Sequence, residues 1–161
     1  MPLDIDDDTR AFIINHRVGR LATVGEDLQP AVIPICYVFD GEHIYSPIDE
    51  KPKSVDASSL KRVRNIEANP QVALVIDDYS EDWSKLSYAL ISGTAEIILP
   101  ASGAGKEASK EASKEASNEA QEHARAVELL REKYQQYRSM KIDARPMIKI
   151  KPARIKRWGA S

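Results

Sequence analysis

The chain has 161 residues, 42% hydrophobic and 30% charged, which fits one globular domain able to bury a core without disulfides or metal. Its 23 Lys and Arg against 25 Asp and Glu leave a net charge of −2, which argues against a general nucleic-acid binder. The one cysteine, Cys36, excludes an internal disulfide and fits a reducing, cytoplasmic setting; three scattered histidines (His16, His43, His123) argue against a structural zinc site, and no apolar run approaches the ~20 residues that span a bilayer.

The acidic opening, Asp4, Asp6, Asp7 and Asp8, lacks the basic-then-apolar order of a signal peptide. Asp8 is placed to cap a short helix carrying Ala11, Ile14 and Val18, ending near His16. Arg20–Val24 reads as a strand stopped by Gly25-Glu26-Asp27. Pro30 opens a longer strand, Ala31–Phe39, apolar on both faces and therefore covered on both. Asp40-Gly41 is a hairpin turn, and Glu42–Ser46 is the return strand of a three-strand meander. A Pro, Lys and Ser-rich loop follows, then a helix with Leu60, Val63 and Ile66 on one side, capped by Ser58 or Ser59 and stopped by Asn69-Pro70. Val72–Ile76 reads as a buried strand, and Leu86–Leu99 as a long one in which Gly93 predicts a bulge or a close backbone approach.

Residues 106–117 spell Lys-Glu-Ala-Ser three times, and Asn118-Glu-Ala-Gln121 is a degraded fourth copy. With no bulky apolar side chain, this stretch cannot join a core; it reads as a helical extension or a frayed insert outside the domain, at about 101–119. Val127, Leu130, Tyr134 and Tyr137 then make an apolar stripe, so Ala120–Ser139 reads as a packed helix. Met147–Lys151 is a sixth strand, ended by Pro152. Short, mostly antiparallel strands with two or three helices pack as a small closed or half-closed barrel.

No phosphate loop, nucleophile elbow or metalloprotease motif is present, and no spacing selects a catalytic triad, so no catalytic side chain is assigned. Cys36, mid-strand, reads as a buried inert thiol, and His16 as structural. If the protein is an enzyme, the hard chemistry belongs to a cofactor. The best binding constellation runs from Ser46 at a strand end, through Lys51 and Lys53, to Lys61, Arg62 and Arg64 at a helix start. Cationic donors beside a helix N-terminus suit a phosphate, while the bland alternative is a solubilising loop and a basic outer face. A second candidate is Tyr79–Tyr88, in which Trp83 could wall a flat ring or plug the barrel end. Seven basic residues from Lys141 onward, opposed only by Asp143, read as a solvated face.

The ordered motifs Val18-Gly-Arg-Leu-Ala-Thr-Val24, Pro30-x-x-x-Pro-Ile-Cys-Tyr37, Asp40-Gly41, Ile44-Tyr-Ser46, Lys51-Pro-Lys53, Arg64-Asn-Ile66, Asn69-Pro70, Asp82-Trp83 and Gly93-Thr-Ala95 resemble the pyridoxamine 5′-phosphate oxidase-like split β-barrel superfamily. Within it, the chain looks most like the deazaflavin (coenzyme F-420)-dependent reductases. The resemblance implies a mainly β, six-stranded antiparallel split barrel with flanking helices, and a homodimer with two cofactor sites at the subunit interface. It implies that Ser46 and the basic loop meet the cofactor phosphate, with Lys51, Lys53, Lys61 and Arg62 as donors and either Lys53 or Arg62 holding the group. It implies that Pro34 approaches the ring system, and that Ser87 and Tyr88 contact the cofactor from the same or the opposing subunit. Trp83 and Trp158 are further candidate walls. The implied activity is hydride transfer from reduced F-420 to a small electrophilic substrate. The alternatives are an FMN-dependent enzyme of the pyridoxamine-phosphate-oxidase type, a non-catalytic flavin, deazaflavin or haem binder, and an interaction domain using its basic C-terminus; none involves nucleic acid or membrane.

Overall fold

In the computed structural model, residues 3–48, 60–101 and 110–160 are described. Among them, three helices and seven strands follow one another as α1 (Asp7–Asn15), β1 (Gly19–Val24), β2 (Pro30–Ile35), β3 (Val38–Phe39), β4 (Ile44–Pro47), α2 (Lys61–Ala68), β5 (Gln71–Asp78), β6 (Ser87–Ile98), α3 (Lys110–Lys133) and β7 (Met147–Gly159). One-turn 3₁₀ segments at Trp83–Lys85, Gln135–Arg138 and Ile142–Ala144 fill the connections. No helix among the described residues is long and apolar enough to cross a membrane.

All seven strands belong to one antiparallel sheet in the order β2-β1-β5-β6-β7-β4-β3. β2 and β3 stand at opposite ends of that order, yet only Cys36 and Tyr37 separate them in the chain. The three Cα steps from Ile35 to Val38 reach at most ~11 Å. The sheet must therefore curl until its two ends meet, which makes it a split β-barrel. This corrects the single strand Ala31–Phe39: apolar residues on both faces conceal a corner, and the expected meander becomes two hairpin arms at opposite ends of the sheet. The seventh strand comes from that division.

β7 corrects a second expectation. It runs through Pro152 to Gly159 instead of stopping at the proline. Pro152 pairs with Gly93 where the β6–β7 register shifts between Ser92 and Gly93. A Cβ at Gly93 would collide with the Lys151 carbonyl, so glycine permits the close approach, and the bulge absorbs the ladder donor that proline lacks.

Leu21, Leu74, Ile76, Ile91, Ile148 and Ile150 fill the barrel interior, with Ile13 of α1 closing one side. Val127, Leu130 and Tyr137 join Val38, Tyr45, Ile98 and Met147 in a second cluster beneath α3. The predicted apolar stripe is thus the packed face, although the helix spans Lys110–Lys133 and gives way to a 3₁₀ turn before Ser139. Residues 114–118, within the repeat, are exposed. α1 is capped by Asp6, whose carboxylate accepts from the Thr9 N–H at 2.7 Å, and not by Asp8, which lies inside the helix. α2 has Leu60 at its N-cap and so no side-chain cap; Ser58 and Ser59 lie outside the described residues. Val63 and Ile66 of α2 are buried as the spacing predicts.

Candidate functional site

Closing the barrel brings the end of β2 beside β4 and the first turn of α2. Between them lies a cavity of about 420 Å³ lined by Val18, Ile33, Pro34, Ile35, Cys36, Ser46, Pro47, Arg62 and Tyr137. Three predicted residues, Pro34, Ser46 and Arg62, therefore converge from separate elements. Ser46 is buried on β4, paired in register with Ile148 of β7. Arg62 is half-buried in the first turn of α2. Pro34 sits on β2 opposite Arg20 of β1 and is exposed. The lining is mostly aliphatic, with one hydroxyl and one guanidinium as its polar anchors beside the Tyr137 phenol.

Sequence reasoning missed Tyr137 and misread Cys36. Tyr137 counted only as part of the α3 stripe, but the 3₁₀ turn places it at the cavity wall as well. Arg131 holds that turn: its Nε donates to the Tyr137 carbonyl at 3.1 Å, and its Nη2 lies 3.0 Å from both the Met140 carbonyl and Asp143 Oδ1. Cys36 is half-buried and lines the cavity, because the corner between β2 and β3 takes it out of the ladder.

Behind that corner is a cluster of aromatic and cationic groups. Tyr37 is fully buried, and its hydroxyl donates to the Ile13 carbonyl at 2.6 Å. Burial pushes the Tyr134 phenol up to about 12. The Lys133 ammonium lies 4.2 Å from the Tyr37 ring centroid and has no hydrogen-bond partner among the described residues. Burial, and then the neighbouring Arg17 guanidinium, push it down to about 8.

The other predicted residues lie elsewhere. Lys61 points into a separate groove with Glu26, Asp27, Arg64 and Asn65. Trp83, 73% exposed, sits on a one-turn helix capped by Asp82. Ser87 is buried at the start of β6, opposite Gly159. Tyr88 stacks on Trp158, its partner across β6 and β7, with ring centroids 5.6 Å apart. None of Trp83, Ser87, Tyr88 or Trp158 lines the cavity of this chain. Lys51 and Lys53 lie outside the described residues. His16 is structural as expected: it caps α1, with Nδ1 2.7 Å from the Phe12 carbonyl and Nε2 2.8 Å from Asp78 Oδ1.

The outer face of the sheet between these two regions is half-buried to exposed among the described residues. Val32, Ala22, Ala73 and Ser92 are successive cross-strand partners there, and Val32 is 62% exposed.

Residues 5–159 match the family model described as pyridoxamine 5′-phosphate oxidase. No curated protein sequence matches the chain. Among solved structures, the chain is similar to the conserved hypothetical protein Rv2991 from Mycobacterium tuberculosis, at 20% identity and a TM-score of 0.67, covering 98% of this chain and 87% of that one. It is similar to an F420 reductase at 20% identity and a TM-score of 0.60, covering 94% and 98%. It is also similar to the FAD-binding protein mll6688 from Mesorhizobium loti at 18% identity and a TM-score of 0.63, covering 98% and 96%. At these identities the likeness carries the split-barrel fold.

Proposed function

This chain belongs to the pyridoxamine 5′-phosphate oxidase family, and on that premise we propose that its cavity binds a phosphate-bearing tricyclic redox cofactor for an oxidoreductase. Coenzyme F-420 is the first choice and FMN the second. One observation carries the reading: Pro34, Ser46 and Arg62, from three elements, line one largely aliphatic cavity. The cavity volume falls within the ~300–1,000 Å³ usual for small-molecule sites. Its composition fits the group: a hydroxyl and a guanidinium for a phosphate, and aliphatic walls for a flat ring. The folds of an F420 reductase and a FAD-binding protein support the class of ligand.

In this reading the buried Ser46 hydroxyl donates to a phosphate oxygen, and the Arg62 guanidinium offers two parallel donors. Lys51 and Lys53, which precede α2 in sequence, would add charge. Ile33, Ile35, Pro34 and Pro47 exclude water, which strengthens both polar contacts. When bound, a reduced deazaflavin supplies hydride from a ring carbon to an electrophilic substrate. No protein acid or base is needed for that transfer, so the chain's task is to orient its ligands in a dry pocket.

The exposed Val32, Pro34 and Ser92 on the outer face of the sheet support a homodimer. Pairing two copies through that face would let Trp83, Ser87, Tyr88 and Trp158 of one protomer approach the cavity of its partner. A haem carrier is less well supported, because His16, His43 and His123 are absent from the cavity lining. Titrating the purified protein with F-420 and FMN, followed by turnover of an electrophilic substrate with the reduced form, tests the reading.

A further inference from the structure

α2 faces two sites. Arg62 lines the cavity, whereas Lys61, Arg64, Asn65 and Ala68 form one wall of a separate groove of about 500 Å³, closed opposite by Gly25, Glu26 and Asp27 of the β1–β2 turn. We propose that this groove is a second binding site, for a small zwitterion carrying an ammonium and a carboxylate, such as an amino acid or a dipeptide.

Three observations lead there. First, the walls carry opposite charge: two carboxylates on the turn, and an ammonium and a guanidinium on the helix. Among the described residues, no ion pair joins the two walls, and neither Lys61 nor Arg64 pairs with any other carboxylate. Among the described residues, the Asp27 carboxylate accepts only the Gln29 N–H, at 3.2 Å. A lone anion or cation would gain from one wall and be repelled by the other; a ligand with both charges complements both.

Second, the site contains a buried polar group with spare hydrogen-bonding capacity. Asn65 is only 6% exposed, and its Nδ2 donates to Thr23 Oγ1 at 3.0 Å. No described residue donates to its carbonyl oxygen, which is left to accept from a ligand N–H. Third, that oxygen looks onto Gly25. A Cβ at Gly25 would lie 2.5 Å from it, so glycine is what lets the β1–β2 turn approach the carboxamide closely and bring the two walls of the groove together.

Roles follow from the chemistry. Glu26 and Asp27 accept from the ligand ammonium, Arg64 and Lys61 donate to its carboxylate, and Asn65 accepts from a ligand amide.

The test is a nitrogen-15 amide titration of the full chain with glycylglycine, alongside N-acetylglycine (carboxylate only), ethylamine (ammonium only), inorganic phosphate and FMN. We expect saturable shifts at Gly25, Glu26, Asp27 and Asn65 with glycylglycine, about tenfold weaker binding of each single-charge probe, and a similar loss in Arg64→Gln and in Glu26→Gln, as befits removal of one charge-assisted contact. Absence of saturable shifts at the groove would overturn the proposal. So would phosphate or N-acetylglycine binding as tightly as the dipeptide, or FMN displacing the dipeptide from the groove.

Discussion

The single hydroxyl of Tyr134 serves both backbone groups of Tyr37. It accepts from the Tyr37 N–H at 3.1 Å and lies 2.9 Å from its carbonyl oxygen, with the Arg17 carbonyl at 2.6 Å as a second acceptor. Tyr37 is where β2 ends and β3 begins, so the corner that closes the barrel owes its backbone pairing to a side chain at the end of α3. The same helix end delivers Tyr137 to the cavity. α3 therefore fixes one wall of the candidate site from two positions.

Tyr134→Phe removes these bonds while keeping the ring. It leaves the Tyr37 N–H unpaired beside a buried side chain, which costs ~1–3 kcal/mol. Chemical denaturation should show that loss, and ligand affinity at the cavity should fall with it as the Cys36 wall loosens. Full stability in the variant would show that the corner closes without the latch.

Lys133 makes stability depend on pH in the same sense as acid denaturation, lost as pH falls, but in the alkaline range. Its folded value, pushed down to about 8 by burial and then by Arg17, lies below the unfolded one. The unfolded chain therefore binds more protons at this site between the two values, so stability should rise as pH increases from about 8 to about 10. Lys133→Met keeps the stem against Tyr37 and removes the titration. Urea unfolding across that range should show the rise in the wild type and its loss in the variant; parallel curves would clear Lys133 of the effect.

Glu122 and Lys149 tie α3 to β7 at 2.7 Å, with the Tyr45 hydroxyl donating to the same carboxylate at 2.8 Å. Burial alone would raise the Glu122 carboxyl; Lys149 and Tyr45 outweigh it and hold the group below its usual range. This contribution is present above the unfolded carboxylate value and is lost as pH falls through the folded one. Glu122→Gln strands Lys149, whose side chain is 11% exposed, with Glu96 at 3.8 Å, and should cost roughly 3 kcal/mol. Glu122→Gln combined with Lys149→Met should recover most of that loss. A double variant as unstable as the sum of the single variants would mean that the two groups act independently.

Replacing residues 104–117 by a short Gly-Ser linker should leave the thermal midpoint and ligand affinity unchanged, because the described part of this stretch packs on nothing and the anchor of the helix begins at Glu119, which accepts from the Leu99 N–H at 3.1 Å. A lowered midpoint would place the repeat within the folded unit.

Local chemistry was easy to read from the chain. The Gly93 bulge, the Asn69-Pro70 stop of α2 and the apolar stripe of α3 each follow from one side chain or one period. The break at Cys36-Tyr37 was hidden because both halves are apolar and β-prone, and its partner, Tyr134, lies 97 residues away. Pro152 misled for a related reason: its tolerance depends on Gly93 across the ladder, a pairing that no local window contains. At the site, phosphate chemistry picked out Ser46 and Arg62 and the resemblance added Pro34. Tyr137 carried no such signal, because an aromatic residue in a packed stripe looks the same whether its ring meets the core or a cavity.

The most direct test of the central claim is spectroscopic titration of the purified chain with F-420 and FMN, repeated on Arg62→Ala and Ser46→Ala. The account predicts saturable binding of one cofactor per cavity, weakened about tenfold or more by Arg62→Ala, as expected for loss of a charge-assisted phosphate contact. Failure of both cofactors to bind, or binding undiminished in both variants, would contradict it.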